Sequence, residues 1–197
     1  MTRSYGELSR DDVVAAALDV CRREGLGALT MRKLASELGQ SSMNAYYYVA
    51  SKAELLDLVA DAVLGEVPEP PDPDARWDEQ LTFLFREARA VLLRYPGVSD
   101  HLLVRSQGHP GQERLGRLAG SVLRGAGFGK RTTVRVQRVL TYLLLGAVSQ
   151  ELATAAATAA GSKATMRFTD DAEVFDLGLA LVMAGLVADL AAGKAAK

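Results

Sequence analysis

Four of the six prolines fall inside the single stretch Glu66-Val67-Pro68-Glu69-Pro70-Pro71-Asp72-Pro73-Asp74. Proline has no backbone N–H to donate and fixes its own φ, so no helix runs through this segment. On both sides of it apolar residues recur at helical spacing, and no run shows the alternation of a half-buried strand. The chain therefore reads as two helical parts that meet at the prolines, residues 1–65 and residues 66–197. Hydrophobic residues make up 49% of the chain, mostly Leu, Ala and Val, against 6% aromatics. Ala and Leu lose little freedom in a helix, so the expected fold class is all-α.

In the first part, Ser9 and Asp12 have the form of a capping box. Val13, Val14, Ala17, Leu18 and Cys21 then share one helix face, and Gly25 ends that helix. Thr30 caps a short second helix whose inner side is Met31, Leu34, Ala35 and Leu38, with Gly39 as its stop. Ser41 caps a third helix through about Tyr48. Ser51 with Glu54 opens a fourth along Leu55, Leu56, Val59, Ala60 and Val63. In the second part, a stripe from Trp77 to Leu92 is ended by Tyr95-Pro96-Gly97. Short helices follow over residues 98–106 and 112–124, then two long ones over 130–159 and 170–192.

The net charge of −1 excludes a protein that coats nucleic acid. The bases nevertheless cluster: Arg22, Arg23, Arg32, Lys33 and Lys52 face only Glu24 and Glu37 in their own window. A small local excess suits a module that touches a few phosphates. Within that window, two short helices joined by a tight turn containing Gly39 form a helix-turn-helix, whose second helix enters the major groove. Tyr46, Tyr47 and Tyr48 then point about 100° apart, so they cannot all be buried. An exposed tyrosine suits contact with phosphate or a thymine methyl.

The stretch Leu29-Thr30-Met31-Arg32-Lys33-Leu34-Ala35, together with Gly39 through Leu56 and above all Tyr46, Val49, Lys52, Leu55 and Leu56, resembles the TetR family of bacterial repressors. The resemblance covers about the first third of the chain. It implies that Arg32, Ser42, Met43, Asn44 and Tyr47 face bases or their flanks, and that Thr30, Tyr46, Tyr48 and Lys52 hold phosphates. Gln40 departs from the family's usual apolar residue after the turn glycine, which puts the packing of the turn in question. The second part looks like the family's ligand-binding and dimerisation domain, and the stretch Ser51 to Leu56 together with Tyr95-Pro96-Gly97 looks most like the tetracycline-repressor branch.

A regulator of this kind implies three partners: double-stranded operator DNA, a small-molecule effector, and a second copy of the chain. Dimers span two half-sites about 34 Å apart. Val139, Leu143, Ala147, Leu177, Leu181, Ala184, Gly185 and Ala188 are the candidate seam, with filling of the monomer core as the alternative. For the effector, polar and aromatic groups on apolar helices single out Trp77, Phe83, His101, Arg105, Gln137 and Tyr142, which point to a hydrophobic or aromatic ligand. Tetracycline-type repressors bind a drug–magnesium complex, but His109 and Glu113 at i, i+4 beside His101 make a thin ligand set. No metal and no cofactor is expected.

Two rival classes remain: a dimeric DNA-binding protein whose pocket is filled by its own side chains, and a helical enzyme. No glycine-rich phosphate loop, nucleophile elbow or paired histidines on a helix supports an enzyme. The lone Cys21 admits no intrachain disulfide and reads as an inert core thiol. The N-terminus lacks an apolar signal core, and Leu177–Leu190 falls short of the ~18 apolar residues of a membrane span. A cytoplasmic protein without membrane contact is the expectation.

Overall fold

A computed structural model describes residues 8–41, 46–104, 110–161 and 170–193. Every regular element among them is helical. Helix α1 (Arg10–Glu24) opens on a full capping box, since Ser9 Oγ accepts from the Asp12 amide while the Asp12 carboxylate accepts from the Ser9 amide. Its buried face is Val13, Ala17, Val20 and Cys21; Val14 and Leu18, expected on that face, lie at its edges and are half-buried. A turn of 3-10 helix (Leu26–Ala28) leads to α2 (Met31–Glu37), capped by Thr30. Residues 46–48 are helical, and α3 (Lys52–Gly65) follows.

The segment 66–76 is non-helical, as its prolines require. Then come α4 (Trp77–Leu93), α5 (Val98–Val104), α6 (Pro110–Gly125), α7 (Lys130–Ala159) and α8 (Asp171–Ala191). Helix α6 begins two residues earlier than the expected Gln112 because Pro110 suits a first helical position. The buried residues form one continuous apolar cluster from Val13 to Leu186, so packing does not stop at the proline segment. Val67 itself is buried, and Arg114 of α6 donates to the carbonyls of Leu64 and Val67 at 3.1 and 2.7 Å. The Leu64 carbonyl also accepts from the Val67 amide at 3.3 Å, so Arg114 is its second donor and clamps the chain just past α3.

The last two helices pack on each other through one stripe of α8, namely Phe175, Leu179, Met183 and Leu186. The other side of α8 is apolar and exposed, with Leu177 at 61% and Leu181 at 64%. Val139 of α7 is exposed as well, as are Ala184, Gly185 and Ala188, whereas Leu143 and Ala147 are half-buried. Most of the candidate seam therefore does not fill this chain's core. By length and average composition α7 and α8 are long and apolar enough to cross a membrane. Within those apolar stretches Glu151 is the acidic residue of α7, and Asp176 and Asp189 those of α8; the remaining charges gather in the first turns of each helix.

Candidate nucleic-acid interface and effector cavity

The candidate reading head is built from backbone geometry that the sequence dictates. Thr30 Oγ1 accepts from the Lys33 amide at 3.1 Å, fixing the start of α2. At its end, the Gly39 amide donates to Ser36 O and the Gln40 amide to Ala35 O, with Gly39 at φ 64°. This is a Schellman closure, and only glycine enters that left-handed position without strain. The departure at Gln40 thus leaves the turn intact, because backbone bonds close it. Ser51 Oγ accepts from the Glu54 amide at 3.1 Å, but the second half of the expected box differs: Glu54 reaches the Ala50 amide at 2.8 Å and Arg10 at 3.2 Å.

Ion pairing sorts the basic residues more sharply than their spacing does. Arg23 meets Glu37 at 2.6 Å, Lys33 meets Glu24 at 2.7 Å, and Arg22 turns inward to Tyr95 and Glu66. Arg32 and Lys52 are exposed and are the bases of that window that make no ion pair among the described residues. Tyr46 and Tyr47 are 52% and 84% exposed, while Tyr48 is half-buried against the core. Thr30, Arg32, Tyr46, Tyr47 and Lys52 accordingly stand at the surface around the start of α2 and the residues before α3. Ser42, Met43 and Asn44 lie outside the described residues.

A junction of polar bonds ties this head to the remainder of the chain. Buried Tyr95 accepts from Arg22 of α1 and donates to Glu66 just past α3; Arg94 meets the same carboxylate at 2.7 Å. Burial, aided by the bond to Glu66, raises the Tyr95 pKa, so the hydroxyl keeps the proton it donates. The Leu26 amide donates to Pro96 O at 2.7 Å. Asp57 of α3 meets His101 of α5 at 2.9 Å, and Asp61 accepts from the Gly111 amide of α6 at 3.0 Å. Helix α6 approaches α3 so closely that a Cβ on Gly111 would stand 2.8 Å from Leu64 Cβ.

Behind the junction lies a cavity of about 390 Å³, within the usual range for small-molecule sites. Its floor is apolar and buried: Leu84, Phe85 and Leu92 of α4 with Leu144 and Leu145 of α7. Leu64 of α3 and Leu102 of α5 complete one wall, and Leu115 and Ala119 of α6 another. The mouth is lined by exposed residues, Leu103, Val134, Arg138 and Tyr142.

Of the six residues singled out for the ligand, Gln137 and Tyr142 line this cavity. Gln137 donates to the Gly116 carbonyl, holding α7 to α6. Trp77 lies elsewhere, edge-on to Phe128 with ring centres 5.4 Å apart, beside a second cleft under Pro70 and Pro73. His101 is engaged with Asp57 of α3, and Phe83 is half-buried outside the cavity lining. Both belong to helices that build the cavity, but helical rotation turns them away from it. Arg105 and His109 lie outside the described residues. Among the described residues no cluster of three or more His, Cys, Asp or Glu is placed to hold a metal. The residues missed are Arg138, Thr141 and Gln112; the i, i+4, i+8 stripe Val134, Arg138, Tyr142 was the available signal.

Residues 13–59 match the family model described as bacterial regulatory proteins, tetR family. The chain is 32% identical over 152 residues to the class A tetracycline repressor protein from transposon 1721 of Escherichia coli, covering 75% of this chain and 68% of that protein. The chain belongs to the TetR family. Among solved structures, this TetR-family chain is similar to Mycobacterium smegmatis BioQ, with TM-score 0.81, 29% identity, and 92% of this chain and 99% of that one covered. It is also similar to ActR from Streptomyces coelicolor, with TM-score 0.82, 26% identity, and 96% and 100% covered. BioQ has been crystallised with its double-stranded DNA operator, and ActR in complex with actinorhodin. Against other curated relatives the TetR-family chain spans 64% and 33% of their length.

Proposed function

We propose that the chain is a dimeric, operator-binding transcriptional repressor that a small apolar or aromatic effector releases from DNA, acting in the cytoplasm and without a catalytic step. The observation that carries this is that α3 belongs to both functional parts. Lys52 at its first turn is exposed and follows the exposed tyrosines closely in sequence, and Leu64 at its last turn forms part of the cavity wall. An effector in the cavity therefore bears on the helix that orients the reading head. Residues 1–65 form the reading part in this proposal, and residues 66–197 the sensing and dimerising part.

In the DNA-bound state Arg32 and Tyr47 face base edges, and Thr30, Tyr46, Tyr48 and Lys52 hold phosphates. Ser42, Met43 and Asn44 complete the reading surface. The exposed apolar faces of α7 and α8, with Val139, Leu177 and Leu181, pair with those of a second copy. An unpartnered apolar surface of this kind is an association surface. BioQ on its operator and ActR with actinorhodin support the two halves of the proposal.

The test is selection of duplexes from a random pool, followed by mobility shift with apolar aromatic compounds titrated in. The expected result is preference for a two-half-site duplex over random competitor at modest salt, and release on addition of a compound that stabilises the protein. Equal binding to all duplexes refutes operator reading. Stabilising compounds that never release the duplex favour a ligand-independent DNA-binding protein.

A further inference from the structure

Arg138 is the charged residue of the cavity: the remaining described lining residues are apolar or neutral, and none is a carboxylate. It makes no ion pair among the described residues. Its Nε donates to the Tyr142 hydroxyl at 2.9 Å, and its guanidinium carbon lies 5.7 Å from the Tyr142 ring centre. The hydrogen bond places the guanidinium at the hydroxyl end of the Tyr142 ring, at the mouth, with its terminal nitrogens not engaged by any described side chain.

We infer that the effector is an amphiphilic acid: a largely apolar body seated on the Leu84, Phe85 and Leu144 floor, carrying one carboxylate or acidic hydroxyl that Arg138 binds at the mouth. This rests on the proposal that the cavity is the effector site. A cationic ligand would place its charge in an apolar cavity beside a fixed guanidinium, with no described carboxylate to compensate. A neutral ligand fills the floor but gains nothing from Arg138. An acid gains a charge-assisted bond to a side chain that Tyr142 has already oriented, so little rotamer freedom is lost on binding.

The experiment uses the full chain and three probes that share one ring system: a naphthalene carboxylic acid, its methyl ester, and the matching naphthylmethyl ammonium. Affinities are measured by calorimetry for the unsubstituted protein, for Arg138→Gln, and for Ala119→Leu, which fills the cavity from α6. The acid is expected to bind about three- to tenfold more tightly than the ester, and the ammonium most weakly. Arg138→Gln should bring the acid to the level of the ester, whose own affinity gains nothing from Arg138. Equal binding of acid and ester to the unsubstituted protein, or an acid preference that survives Arg138→Gln, overturns the inference while Ala119→Leu still abolishes binding of both. Failure of all three probes to bind, or binding indifferent to Ala119→Leu, overturns the cavity reading itself.

Discussion

The approach of α6 to α3 at Gly111 gives a direct way to move the reading head without a ligand. In Gly111→Ala the new methyl would stand 2.8 Å from Leu64 Cβ and 2.9 Å from the Asp61 carbonyl oxygen. Carbon contacts settle at about 3.5–4.0 Å, so the helices must part by about 0.7 Å or more. Lys52 lies about 18 Å along α3 from Leu64 at about 1.5 Å per residue, and a helix pushed aside as one body carries that first turn by the same distance. Hydrogen bonds to phosphate tolerate about 0.5 Å between their usual short and long limits, so a rigid displacement of this size stretches them.

Overpacking costs about 1–3 kcal/mol, and the gain of about 1 kcal/mol from alanine over glycine in a helix offsets part of it. The folded state should therefore survive, with a modest fall in Tm, while operator affinity drops about tenfold in the absence of effector. Fluorescence anisotropy with a selected duplex measures the affinity, and circular dichroism on the same sample measures Tm. Unchanged affinity with an unchanged Tm would show that α3 and α6 can be spread without consequence, and would refute the transmission route through this contact.

Tyr95→Phe removes the hydroxyl that joins Arg22 to Glu66, and should cost about 1 kcal/mol, read as a Tm lower by about 2–4 °C; no change would mean the junction is not held by these bonds. Lys52→Ala should weaken binding to every duplex alike and reduce the slope of log affinity against log salt by about one; an unaltered slope excludes the phosphate role. Burial pushes the Cys21 thiol up to about 11 from its ordinary value of 9.0, so the native protein should resist iodoacetamide at neutral pH and react in denaturant. Because the folded thiol holds its proton where an unfolded one ionises, it also makes stability fall as pH rises from about 9 towards 11. Rapid native-state alkylation would contradict this.

How far the fold was legible depends on whether a residue's role is local. Capping residues Ser9, Thr30 and Ser51, the stop at Gly39 and the proline segment act through neighbours a few positions away, and their elements lie where the sequence puts them. The tyrosine triplet was likewise decided by geometry within one turn, since three successive side chains cannot share a face. Pairing across the chain was not legible. Nothing in the spacing of Arg22 announces that it leaves the basic window to meet Tyr95, 73 positions on. The effector residues suffered most, because choosing among polar groups on apolar helices requires knowing which face meets the void. Tyr142 and Gln137 face it, whereas His101 on the neighbouring α5 turns to Asp57.

In the proposed function a cavity governs a distant reading surface, and the asymmetry of α3 offers a physical route between them. At the reading end the helix is held by its Ser51 cap and by Glu54, bonded to Ala50 and Arg10, ties that keep it rigid with the head. At the other end it is gripped by several elements at once: Asp57 by His101, Asp61 by Gly111, and the carbonyls of Leu64 and Val67 by Arg114. Those partners sit on α5 and α6, which also wall the cavity. An effector can shift the equilibrium only by its difference in affinity for the two states, and a near-complete switch needs about 5.5 kcal/mol. At about 25 cal/mol per Å² of apolar surface, roughly 200 Å² of additional burial in the released state would supply that. An apolar floor of five large side chains beside Leu64 is where the proposed function needs such burial to occur, and the polar contacts around it are the ones that would pass a change in packing to α3.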